Sequence, residues 1–166
     1  MSWAQAVAGT QPQQQTASTQ PAQEQQPQQQ EAPASIPGGS VQAHEDVNYG
    51  SGSGHTVAKH VGRTVEQLRQ RLAAEPNIPK ASTYESLSEA DTTVSAAIEA
   101  NKSEIETWLN DANAVPRKRI NHNANVGKVL ARNAQTTQAG SRVRVILQKP
   151  PNGVNLSYVI VTSFPE

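Results

Sequence analysis

Two histidines five residues apart, His55 and His60, lie in the stretch GHTVAKHVGRT; the other two, His44 and His122, fall in a low-complexity segment and in the Asn-rich NHNAN, which reads as an exposed loop. A spacing of five is not the i, i+4 pair of a helical metal site, and neither HExxH nor an acidic cluster accompanies it, so no metal ligand set is assigned. The chain has no cysteine, hence no thiolate nucleophile, zinc ribbon or disulfide framework. No serine occupies a GxSxG elbow, and GSGSGH lacks the Lys and Ser/Thr that a phosphate-binding loop requires. No cofactor is expected.

What remains is histidine accompanied by basic groups and strand hydroxyls. That set suits transfer of an RNA phosphoryl group to its own 2′-oxygen, which needs a proton acceptor for the 2′-OH, a proton donor for the leaving 5′-oxygen, and donors on the crowded phosphorane. Imidazole, with an ordinary pKa of about 6.5, serves either proton transfer. Arginine holds phosphate oxygens in a planar fork without losing its charge. A metal is not needed to make the nucleophile, because the nucleophile belongs to the substrate.

Helices and then strands must position these groups. HTVAKHV forms one or two helical turns ended by Gly62, and Thr64 caps the next helix with Gln67 completing a capping box. Val65, Leu68 and Leu72 give that helix a short apolar stripe, and Pro76 and Pro79 stop it. A longer helix starts at Ser86 or Ser88, with Glu89 in capping-box position after Ser86. Val94, Ala97, Ile98, Ile105, Trp108 and Leu109 form its buried face, with a break near Asn101. Three β-branched runs follow at 126–132, 142–149 and 156–164, the last two joined by PPNG. Helices first and strands after predict an α+β fold, with the helices packed on a C-terminal antiparallel sheet.

Residues 1–46 carry no Lys or Arg, four acids and almost no large apolar side chains, in runs such as QEQQPQQQEAP. Such a segment buries too little to offset its ordering entropy and reads as a disordered Gln/Pro-rich linker or tether. Residues 47–53 read as a flexible hinge and 54–166 as the folded domain. All 14 basic residues lie between Lys59 and Lys149, so the chain beyond the linker has ten acids against 14 bases, about +4, despite a net charge of zero overall. That field suits an anionic partner, nucleic acid first. No apolar run reaches the ~18 residues of a membrane span, and MSWAQAVAGT lacks the basic start and apolar core of a signal peptide. Export therefore calls for another module or machine.

GHTVAKHVGRTVEQLRQRL, ASTYESLSEADTTVSAAIEANKSEIETWL, SRVRVILQK and YVIVTSFPE together resemble the bacterial RNase A-like toxin domain. That domain occurs at the C-termini of contact-dependent growth inhibition and other polymorphic toxin proteins. The similarity spans about residues 54–166. It implies an RNase A-like fold without disulfides, metal-independent cleavage of RNA, and a cognate immunity protein that blocks the active site. It also implies site residues: His60 as general base or acid, Arg71 eleven positions later on the scissile phosphate, Thr162 as a hydrogen-bond donor, and Phe164. In the family's best-described member this last position is a tyrosine, and phenylalanine brings no hydroxyl. His55 is the candidate for the second proton transfer, or a helix-start residue bonded to backbone.

Each residue also suits a plainer role, Arg71 facing solvent, Thr162 as an ordinary strand residue, Phe164 as packing. Thr162 is expected to share a strand face with Tyr158, Ile160 and Phe164. A toxin delivered to the target-cell cytoplasm should keep its activity when residues 1–46 are deleted. An RNA-binding module of the same fold without catalysis should bind RNA in a salt-sensitive way without turnover.

Overall fold

The computed structural model describes residues 35–166. A 3-10 turn at Val41–His44 precedes α1 (Thr56–His60), α2 (Val65–Ala74), β1 (Lys80–Thr83), α3 (Leu87–Ala100), α4 (Lys102–Asn110), β2 (Arg117–Ala131), β3 (Gln138–Gln148) and β4 (Val159–Pro165). The four strands form one antiparallel sheet in the order β1-β2-β3-β4, so the fold is α+β as expected. Among the described residues no helix is long and apolar enough to cross a membrane.

The helix signals act where the sequence places them. Gly62, at φ 64°, provides the left-handed residue beyond the end of α1. The Thr64 hydroxyl accepts from the Gln67 amide at 3.2 Å while the Gln67 side chain accepts from the Thr64 amide at 2.9 Å, a complete capping box. Ser86 caps α3 through the Glu89 amide. The Glu89 carboxylate reaches further than a capping box, accepting from the amides of Glu85 and of Gly127 on β2. Asn101 divides α3 from α4, its side-chain amide donating to the Ala97 and Asn121 carbonyls.

The sheet differs from the expected three strands in two places. β1 is a fourth strand, paired from Lys80↔Ala131 to Thr83↔Lys128; KAST is too short and too polar to signal itself. β2 runs through the basic triplet and NHNAN, so His122 is a half-buried strand residue opposite Val143 and not part of a loop. That stretch turns only alternate residues inward, with Ile120 buried and its neighbours polar, and register shifts between Asn123, Val126 and Val129 bend it. Gly127 is required at the bend: its φ is 65°, and a Cβ there would lie 2.4 Å from the Thr83 carbonyl oxygen.

The main core is the sheet face of Ile120, Val143, Val145, Leu147 and Ile160 packed on α3 and α4 through Val94, Ala97, Ile98, Ile105 and Trp108. A smaller cluster joins Leu68 and Leu72 of α2 to Ala81 and Leu130.

Packing also begins earlier than composition indicates. Residues 35–46, expected in the linker, are held against this core, while 47–53, expected as a hinge, contribute no buried residue. Ile36 and Val41 are 1% and 0% exposed and belong to the main cluster. Asp91 accepts from the Ser40 hydroxyl and the Val41 amide. His44 donates from Nε2 to the Pro37 carbonyl and accepts at Nδ1 from the Ile160 amide at 3.0 Å, tying this segment to β4. Averaged composition hides this because Gly, Ser and polar residues surround a few apolar anchors. The rest of the expected linker, residues 1–34, lies outside the described residues.

Candidate active site

α1 is a five-residue helix, too short to stand alone, and it carries His60. Its unpaired first amides are met from a distance: the two Glu45 carboxylate oxygens accept from Val57 and Ala58 at 2.9 and 2.8 Å, a negative group on a helix N-terminus. The far end of α1 is bound to the chain just past β1, the Tyr84 amide donating to the His60 carbonyl and the Gly62 amide to the Tyr84 carbonyl. Tyr84 is fully buried, and its hydroxyl meets the Ser163 hydroxyl of β4. Burial raises its phenol pKa out of the titrating range. α1, β1 and β4 are thereby locked to one another.

His60 emerges from this junction 4% exposed, with its ring centroid 5.1 Å from that of Phe164. Nδ1 lies 3.3 Å from the Ser82 carbonyl, which can only accept; with the hydrogen on Nδ1 for that bond, Nε2 keeps its lone pair. The Arg71 guanidinium stands 3.5 Å from Nδ1. Its Nε is anchored to Glu75 at 3.1 Å one helical turn on, which holds the fork beside the ring. Burial first, and the Arg71 charge second, push the imidazole from 6.5 down to about 3, against the pull of the Ser82 carbonyl. At neutral pH the ring is an uncharged base.

That shift carries a stability consequence with a definite sign. Between pH 6.5 and about 3 the unfolded chain protonates His60 while the folded chain does not, so stability is full above 6.5 and declines as pH falls through this window. The slope contributed by one proton is at most about 1.4 kcal/mol per pH unit. Urea denaturation of wild type and His60→Gln at pH 7 and pH 5 is expected to show the wild type losing about 2 kcal/mol more than the variant. Equal losses would mean that the ring titrates normally.

Thr162 and Phe164 reach the outer face of the sheet through a one-residue irregularity in β4. Leu147 pairs with Ile160 but Ile146 pairs with Thr162, so Val161 is extra. Ile160 therefore faces the core, whereas Thr162 and Phe164 stand opposite the outward residues Ile146 and Arg144. This corrects the expectation that Thr162 shares a face with Tyr158 and Ile160; it shares one with Phe164 only. Its hydroxyl is buried and has no protein partner.

A cleft of about 300 Å³ opens here, walled by His60, Arg71, Lys80, Arg144, Phe164 and Glu166 among others. Of the expected residues, His60, Arg71 and Phe164 meet in its wall, and Thr162 sits two positions before Phe164 on the same strand face. His55 is not a wall residue: its Nδ1 donates to the Ser53 carbonyl at 3.0 Å, although its charge still contributes to the lowering at His60. The polar wall residues not anticipated are Lys80, Ser82, Arg144 and Glu166. Only Arg144 left a trace in the sequence, through the RVRV alternation that turns it away from the core.

Residues 54–165 match the family described as the bacterial CdiA-CT RNase A domain. The chain belongs to that family. It is a bacterial RNase A-like toxin domain of the contact-dependent growth inhibition type. Among solved structures, the chain is similar to one of a CdiA-CT/CdiI complex from Y. kristensenii 33638. That match has a TM-score of 0.60 and 25% identity, covering 68% of this chain and 99% of that one. A search of curated proteins finds no match. The CdiA-CT RNase A match starts at Gly54, so Glu45, which caps the helix bearing His60, lies upstream of it.

Proposed function

We propose that this domain is a metal-independent endoribonuclease that cuts RNA by attack of the 2′-oxygen on the adjacent phosphorus. The observation that carries the reading is a buried neutral imidazole with a bare Nε2, beside an anchored arginine, in the wall of a cationic cleft. His60 takes the 2′-OH proton at Nε2 as the new P–O bond forms. Arg71 binds the phosphoryl oxygens, and the unpartnered Thr162 hydroxyl donates to them. The P–O5′ bond breaks, leaving a 2′,3′-cyclic phosphate on one fragment and a 5′-hydroxyl on the other. The 5′-oxygen takes its proton from water, and His60 returns the 2′-proton to the hydroxide so formed, since Phe164 has no proton to give and His55 is not in the wall.

The biological setting proposed with this chemistry is interbacterial competition. Another module or machine delivers the domain into the target-cell cytoplasm, and a cognate immunity protein neutralises it, as the Y. kristensenii relative's pairing with CdiI suggests.

Incubating the purified protein with mixed cellular RNA in EDTA at neutral pH is expected to give fragments ending in cyclic phosphate. Intact RNA under those conditions would remove the enzymatic reading. RNA bound but uncut would favour the non-catalytic binding module.

A further inference from the structure

Arg144 enters the cleft from the middle of β3, between Asn121 of β2 and Phe164 of β4. Its guanidinium is held at two points, with Cζ 5.9 Å from the Phe164 ring centroid and Nη2 2.8 Å from Glu166 Oε1. The Nε–H of the same group is buried and has no partner. A cationic donor without water or acceptor is costly, more so than a neutral one. Glu166 does not relieve it: Oε2 is taken by Nε and Nη2 of Arg142, at 2.9 and 2.7 Å, and Oε1 by Arg144 Nη2. The donor therefore waits for an acceptor that is not part of the described chain. Arg71 and Lys80 wall the same cleft, and Glu166 is its one carboxylate, already saturated by arginine. An incoming acceptor in this setting is an anion.

We propose that Arg144 is a phosphate-binding residue, whose Nε–H takes a backbone phosphate oxygen of single-stranded RNA while Glu166 and the Phe164 ring hold the guanidinium in place. The choice of ligand rests on the ribonuclease reading above. The unpartnered donor does not depend on it. Phe164 acquires a task that needs no hydroxyl: its ring contacts both His60 and Arg144, setting proton acceptor and phosphate donor against a common surface.

The test uses the full chain and a mixed-sequence single-stranded oligoribonucleotide carrying 2′-O-methyl groups, which can bind but cannot be cut. Affinity is measured between 50 and 300 mM salt, roughly the range over which phosphate contacts declare themselves. Arg144→Gln is expected to weaken binding about tenfold at low salt and to reduce the slope of log K against log salt by about 0.7, the loss of one contact on a single strand. Arg142→Gln, whose guanidinium is not in the cleft wall, is expected to change affinity less than about threefold and to keep more of the slope. Thermal unfolding of each variant checks that it is folded. A folded Arg144→Gln protein with wild-type affinity and slope overturns the proposal, leaving Arg144 as a strut for Glu166. Binding that depends on Arg144, with no cleavage of unmodified RNA, sinks the enzymatic reading and leaves this one standing; wild type that cuts unmodified RNA but does not bind the oligomer overturns this proposal and leaves the enzymatic reading standing.

Discussion

Replacing His60 by alanine is expected to lower kcat/KM for RNA cleavage by about 10² to 10⁴-fold, the usual contribution of a positioned proton-transfer group. The residue is buried at the junction of α1, β1 and β4, so His60→Gln accompanies it as a variant of similar size that cannot take the proton. Near-UV circular dichroism identifies any loss of fold, and single-turnover kinetics isolate the chemical step. A folded His60→Gln enzyme cutting within about threefold of wild type would exclude His60 as the base.

The same residue sets an unusual pH profile. Because kcat/KM reports the free enzyme and the free His60 titrates near 3, the base form is fully populated from pH 5 to 8. Activity is expected to stay level across that range, without the acidic limb near 6.5 that an exposed histidine would impose. A limb at 6.5 would place the working base elsewhere.

The second large effect concerns where the domain begins. A chain starting at Gly54, the boundary drawn by the family match and by composition, is expected to be far less stable than one starting at Ser35, and inactive. It loses Ile36 and Val41, which are 1% and 0% exposed, and truncating a buried isoleucine alone costs about 2 to 5 kcal/mol. It loses the Glu45 carboxylate on the first amides of α1, where caps are worth about 0.5 to 2 kcal/mol, and leaves the buried Ile160 amide without the His44 ring. Against a total of about 5 to 15 kcal/mol, these losses approach the whole stability of the fold. Deletion of residues 1–46 is therefore expected to abolish activity, reversing the outcome that the sequence alone suggests. Thermal unfolding of the fragments 35–166 and 54–166 decides it, equal midpoints counting against the early boundary.

Local signals carry much of this fold. The Thr64–Gln67 box, the Gly62 stop and the Asn101 break are written in neighbouring residues, and each is legible in the amino-acid sequence by itself. The contacts that sequence does not announce join distant segments. Glu45 caps a helix twelve residues away, His44 bonds a strand 116 residues away, and β1 gains its identity only by pairing with the end of β2. The site divides along the same line. His60, Arg71, Thr162 and Phe164 are marked by motif resemblance; alternation turns Arg144 outward, but its place beside Phe164 and Glu166 comes from strand pairing, which neighbouring residues do not encode.

The extra residue at Val161 has a wider consequence. It splices two short messages into one strand: before it, even-numbered side chains fill the core, and after it they face the cleft. The chain can thus revise its cutting edge without rewriting its foundation. Thr162 and Phe164 thus belong to the cleft side of the strand, while their inward neighbours Ser163 and Pro165 keep their place in the core.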